Sequence, residues 1–149
     1  MKLIRRFIVR VRMKRALRDG RRVSIAEAIH LWSLSDTIYI GPVGPSARIL
    51  PECEIYRRLA DDAEVKDDQI LELLQHKSPS VAGYGLELLI MRRSGHLQDA
   101  VASLAGRREE VALGLTSFVC YTPLREYAAH RMTAEHGDGG GSASIRATP

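Results

Sequence analysis

Through most of this chain the apolar positions recur three and four residues apart, a period that predicts helices. Ser24-Ile25-Ala26-Glu27 reads as a capping box, in which the hydroxyl takes an orphan N–H and the carboxylate reaches back to the cap. It predicts a helix over 25–34 that buries Ile25, Ile29 and Trp32, with Ala28 beside them. Pro51 suits a first helical turn and opens a helix over 51–62 that buries Ile55, Leu59 and one side of Tyr56. Asp67-Asp68 place negative charge at the start of a helix over 68–76, where the helix dipole favours it. Ser78-Pro79 starts the next, with Val81, Tyr84 and the run Leu88-Leu89-Ile90-Met91 buried. Arg92-Arg93-Ser94-Gly95 stops it with cations followed by glycine. Further helices are expected over 96–105, 108–121 and 123–133. Gly41-Pro42 and Gly44-Pro45 interrupt regular structure, and Thr37-Ile38-Tyr39-Ile40 reads as extended, although one short run makes no sheet alone.

Residues 2–18 show a different pattern. Leu3, Ile4, Phe7, Ile8 and Val11 share one helical face, and one turn further on the same side is taken by Lys14, Arg15 and Arg18. Val9, Met13, Ala16 and Leu17 gather on the opposite side. The stretch Val9-Arg10-Val11-Arg12-Met13-Lys14 also alternates as a strand would, so the local pattern does not decide. A helix is the expectation because the rest of the chain is helical.

Set against itself at an offset of 30 residues, the chain shows a coherent match. Ile70, Leu71 and Leu74 fall on Ala100, Val101 and Leu104, Val81-Ala82 on Val111-Ala112, and Leu88-Leu89-Ile90 on Phe118-Val119-Cys120. Each unit is then a short helix, a tight turn and a longer, more apolar helix, and such units bury their apolar faces by stacking. Chance similarity between amphipathic helical hairpins is the alternative. The turn His76-Lys77-Ser78-Pro79-Ser80-Val81, with the helices on either side of it, resembles a HEAT-type unit. Gly41-x-x-Gly44-x-Ser46 and Glu52-x-x-x-Tyr56-x-x-Leu59 are similar to the lead-in of some bacterial HEAT-like proteins. The resemblance covers about 40–120, and it departs from the HEAT pattern at Ala82, where an arginine is common. It implies a helical-repeat fold that binds other macromolecules and no catalysis. The expected architecture is therefore all-α: a short α-solenoid of HEAT-like stacked hairpins over 23–133, preceded by a basic amphipathic segment, 1–22, and followed by a Gly-rich disordered tail, 134–149.

Charge changes this picture. Residues 1–22 hold ten Lys/Arg and one acid, whereas the remaining 127 residues hold twelve bases and seventeen acids. A basic head precedes an acidic body. Arg5, Arg6, Arg10, Arg12, Lys14, Arg15, Arg18, Arg21 and Arg22 are the candidate residues for an anionic partner. Phosphate backbones attract such a segment through counterion release, anionic membranes attract a basic amphipathic helix, and an acidic protein surface would also hold it. That surface could belong to a protein partner, to this chain's own body or to a second copy in a homodimer. Equally, the segment could pack its apolar face on the body and leave its arginines solvated. Phe7 is its only aromatic residue, which weakens single-strand recognition.

Catalytic chemistry finds little support. His30, His76, His96, His130 and His136 form no close pair at ligand spacing. His76 is placed at a helix end, where a cationic side chain suits the last carbonyls. Cys53 lies between Glu52 and Glu54, which oppose thiolate formation, and Cys120 reads as a small core residue. Gly41-Pro42-Val43-Gly44-Pro45 lacks the Lys-Ser/Thr of a phosphate loop. Gly83 and Gly85 are expected to permit tight helix–helix packing. No catalytic set, metal or cofactor is expected. Phe7-Ile8-Val9 is too short for a secretory apolar core; residues 1–18 are Arg-rich and acid-poor as a transit peptide is but lack its serines, so that stays a minor alternative and the chain reads as cytoplasmic with reduced cysteines. A non-enzymatic binding or scaffold module with a protein partner is the functional expectation, and nucleic-acid or anionic-membrane binding through residues 2–22 is the alternative.

Overall fold

The computed structural model describes residues 2–115 and 118–137. In chain order the elements are α1 (Lys2–Leu17), α2 (Ile25–Leu34), β1 (Thr37–Tyr39), α3 (Pro51–Asp61), α4 (Asp67–Leu73), α5 (Pro79–Met91), α6 (Leu97–Leu104), β2 (Glu110–Leu115), β3 (Phe118–Pro123) and α7 (Leu124–Gly137). A 3-10 turn at Arg18–Gly20 ends α1, with Gly20 at φ +63°, a left-handed conformation that glycine adopts without steric cost. Ser24 caps α2 by accepting the Glu27 N–H at 3.1 Å. The Glu27 carboxylate does not close the box and instead receives Arg21.

The fold is mixed α/β, which corrects the all-α expectation and the α-solenoid with it. The strands form one sheet in the order β1-β2-β3, β1 parallel to β2 and β2 antiparallel to β3. The register places Thr37 opposite Ala112, Ile38 opposite Leu113, and Tyr39 opposite Gly114, which in turn faces Val119. The helix expected over 108–121 is the β2–β3 hairpin. Val111, Phe118, Val119, Tyr121 and Thr122 are β-branched or aromatic and suit a pleated, half-buried surface. The repeat at an offset of 30 also fails, since Val81-Ala82 and Leu88-Leu89-Ile90 lie in a helix while their counterparts lie in strands. The extended run at Thr37 acquires its sheet from that hairpin, with four helices in the crossover between them.

Helix α5 is the centre of the molecule. Every residue from 80 to 90 is buried, and α5 touches α2, α3, α4, α6, α7 and the sheet. Two glycines make that possible. A Cβ on Gly83 would fall 2.0 Å from Ile38 Cδ1, and one on Gly85 would fall 2.9 Å from Leu73 Cβ. Gly85 thus admits helix α4, as expected for helix–helix packing, whereas Gly83 admits strand β1. Trp32 stacks on Tyr84 with ring centroids 4.6 Å apart, which ties α2 to α5. The Tyr84 hydroxyl accepts the Tyr39 N–H at 3.0 Å, and Ser80 Oγ lies 2.7 Å from the Ser35 carbonyl. Polar groups on α5 therefore hold the strand that its glycine lets in.

One buried ion pair joins α5 to α7. Glu87 receives Arg131 in a fork, Nε to Oε1 at 2.7 Å and Nη2 to Oε2 at 3.0 Å, and Tyr127 OH donates to Oε1. Removing one partner of a buried pair leaves a charge without compensation, which costs more than the pair contributes. Arg131→Ala is therefore expected to destabilise the fold by about 3 kcal/mol. A double change to Glu87→Gln with Arg131→Ala should recover part of that loss, both read from urea unfolding midpoints.

Candidate partner-binding surface

Helix α1 has two apolar faces, and only one of them is used. Val9, Met13 and Ala16 are buried, and α1 packs on α2 and α3. On the opposite side Ile4, Phe7, Ile8 and Val11 are exposed by 66%, 70%, 47% and 49%. Lys14, Arg15 and Arg18 continue this outward side and are exposed. The helical reading of this segment holds, and the strand-like alternation over 9–14 is incidental. Both stripes arise from one sequence because apolar residues at 4, 7, 8, 11 and at 9, 13, 16 fall on opposite sides of a 3.6-residue helix.

The nine candidate cations separate into groups. Arg21 pairs with Glu27 at 2.5 Å. Arg22 reaches Asp62 at 2.6 Å and also binds Glu64, and the Arg22 guanidinium holds the Asp62 carboxyl below the usual carboxylate range. Arg21 thus fastens the segment after α1 to the first turn of α2, and Arg22 fastens it to the acidic start of the α3–α4 connection. Arg10 turns inward. Its Nε lies 3.4 Å from Glu52 Oε1, its Nη2 donates to Tyr39 OH at 3.3 Å, and its guanidinium carbon sits 5.6 Å from the Tyr39 ring centroid. No ion pair or hydrogen bond reaches the Arg12, Lys14, Arg15 or Arg18 side chain among the described residues. The side chains of Arg5 and Arg6 lie outside the described ones.

Behind Arg10 stands an arrangement that the charge pattern did not reveal. Glu52 is 3% exposed, and its Oε2 finds no hydrogen-bond partner among the described residues. Arg10 is the cation paired with it. The Tyr39 ring packs against Gly114, where a Cβ would fall 2.0 Å from Tyr39 Cε1. The sheet, the ring and the guanidinium therefore form a stack in which each layer positions the next. A groove of about 640 Å³ opens in front of it, lined among others by Arg10, Tyr39, Arg48, Phe118 and Val119. A second groove of about 280 Å³ shares Arg10, Arg48 and Leu50 with the first and includes Lys14 and Ile49. Arg48 had no signal in the sequence, being one arginine in an irregular loop, and only the fold brings it near Arg10.

The remaining candidates are structural. Cys53 donates to the Tyr39 carbonyl at 2.7 Å, and burial together with Glu52 pushes its thiol up to about 12. Cys120 is half-buried on β3. His76 accepts the Ser78 N–H on Nδ1 at 3.1 Å and so shapes the turn before α5. Asp67 receives Arg92 at 3.1 Å and Ser94, and Arg92 also donates to the carbonyls of Ala60, Asp62 and Val65. Among the described residues no group of three or more His, Cys, Asp or Glu is placed to hold a metal, and no helix is long and apolar enough to cross a membrane. What the exposed arrangement can do is bind: it offers fixed cations, unpaired cations and apolar side chains on neighbouring surfaces. No family model, curated protein or solved structure matches the chain.

Two solution properties follow from the buried groups. Native protein should react with a thiol reagent at Cys120 alone, with Cys53 reacting only after denaturation, as counted by mass spectrometry. Burial also pushes the Tyr56, Tyr84 and Tyr127 phenols up. The folded state then holds these protons more tightly than the unfolded chain, so their contribution is complete at neutral pH and is lost as pH rises. Urea midpoints should fall above about pH 9, where the Cys53 thiol begins to contribute, and more steeply above about pH 10, where unfolded tyrosines ionise. Tyr84→Phe should flatten the second part of that slope.

Proposed function

We propose that the protein is a non-enzymatic binding module that docks onto a partner protein through the outward face of α1. The observation that carries this reading is the exposed stripe Ile4-Phe7-Ile8-Val11 on a helix whose other face is already in the core. Burying one such side chain is worth roughly 1.5–3 kcal/mol, so a partner that covers several gains appreciable affinity. Lys14, Arg15 and Arg18 extend the stripe with positive charge, which favours a partner with an apolar groove rimmed by acids. Arg10, held against Glu52 and Tyr39, marks the edge of this surface.

A second reading has one observation in its favour. An apolar stripe continued by unpaired cations on the same side of one helix also suits an anionic membrane surface, with the apolar residues inserted and the cations at the headgroups.

A photo-crosslinking residue placed at position 7 of the full chain, exposed to extract from its natural host, separates the two. The protein-docking reading expects one adduct of discrete mass that is lost in Ile8→Glu, with the far-ultraviolet dichroism and melting temperature of Ile8→Glu unchanged. Salt-sensitive sedimentation of the wild type with vesicles containing phosphatidylserine, with no protein adduct, would establish the membrane reading in its place.

A further inference from the structure

We infer that the groove between α1, the loop over 41–50 and β3 is a peptide-binding subsite that takes an extended acidic segment of the partner protein. The inference rests on the partner-docking reading above and adds a second point of contact to it. Four observations support it.

Arg10 is already positioned for an anion. Glu52 behind it and the Tyr39 ring beneath it fix the guanidinium through Nε and Nη2, and no hydrogen bond among the described residues engages Nη1. A guanidinium held in this way loses little freedom when a carboxylate arrives. Arg48 and Lys14 line the same connected grooves and have no acidic partner among the described residues, while Glu54 on that rim is already paired with Arg58 at 3.1 Å. The charge that is missing from the groove is negative.

Leu50, Phe118 and Val119 add apolar side chains to the lining, and Phe118 and Val119 are exposed. A small inorganic anion would leave those side chains uncovered, whereas a peptide with alternating acidic and apolar side chains would satisfy both. The sheet favours an extended backbone as well. At the β1 edge the Tyr39 main chain is taken by Tyr84 and Cys53, and Tyr56 OH donates to the Ile40 carbonyl at 2.7 Å. Strand β3 is the other edge of the sheet, is uncharged from Phe118 to Pro123, and has no strand beyond it among the described residues. An extended segment can therefore add main-chain hydrogen bonds at β3.

Calorimetric titration of the full chain tests the inference. The probe is a short capped peptide alternating Glu with Val, set against its Gln–Val counterpart. The acidic peptide should bind at least about tenfold more tightly than the neutral one, weaken with salt, and lose about tenfold in Lys14→Glu/Arg48→Glu. Those two side chains are exposed, so the double variant should keep the wild-type melting temperature. Glu52→Gln should weaken binding by loosening Arg10 without removing it. Equal affinity for the neutral peptide, equal affinity for inorganic phosphate or a DNA duplex, or no response to the double variant would each overturn the inference. Ile8→Glu lies outside the groove and should bind the peptide as the wild type does. A crosslink at position 7 without peptide binding would fault the groove alone, and peptide binding without that crosslink would fault the α1 reading alone.

Discussion

The architecture depends on the burial of α5 from Ser80 to Ile90. A helix buried on every side has to meet neighbours on every side, and the glycines at 83 and 85 set how close two of them come. Ile38 fills the space that a side chain at Gly83 would occupy, which brings β1 against the helix, and the Tyr84 hydroxyl then satisfies the Tyr39 N–H. With β1 fixed, Tyr39 can lie over Gly114 and carry Arg10. The surface on which the functional proposals rest is thus built outward from the core, through a strand of three residues.

The basic head is a mixed population rather than one electrostatic patch. Arg21 and Arg22 neutralise acids on the body, Arg10 neutralises a buried glutamate, and Arg12, Lys14, Arg15 and Arg18 remain available to solvent or a partner. The uneven charge along the chain is therefore partly an intramolecular match between a positive beginning and the acidic turn after α3. The excess beyond that match gathers along α1 and at Arg48. Apolar side chains lie beside it on the helix and on β3, and the docking proposal rests on that juxtaposition.

Much of the helical framework was legible because its signals are local. Ser24, Pro51, the Asp67-Asp68 pair and Ser78-Pro79 each stand within a residue of where α2, α3, α4 and α5 begin. The two faces of α1 could also be read from spacing alone. The hairpin could not, because Val111, Leu113 and Leu115 permit either period and its strand partner lies far upstream at Thr37. That one misreading made the offset match look like a repeat and the repeat look like a solenoid. The candidate site divides in the same way: Arg10 and Lys14 stood out as part of a charge run, whereas Glu52, Tyr39, Gly114 and Arg48 acquire meaning only once distant segments meet.

The parallel pairing of Thr37 with Ala112 also bears on how the chain reaches its fold. Closing so long a loop is entropically slow, and during synthesis β2 leaves the ribosome only after most of the helices have done so. Until then β1 has no strand beside it. The hydroxyls of Tyr84 and Tyr56 and the thiol of Cys53 come from helices made well before the hairpin, and they bind the main chain of Tyr39 and Ile40. These side chains can dock the strand on the helical core as soon as α5 emerges. In the folded chain they cover one edge of β1, and β2 covers the other.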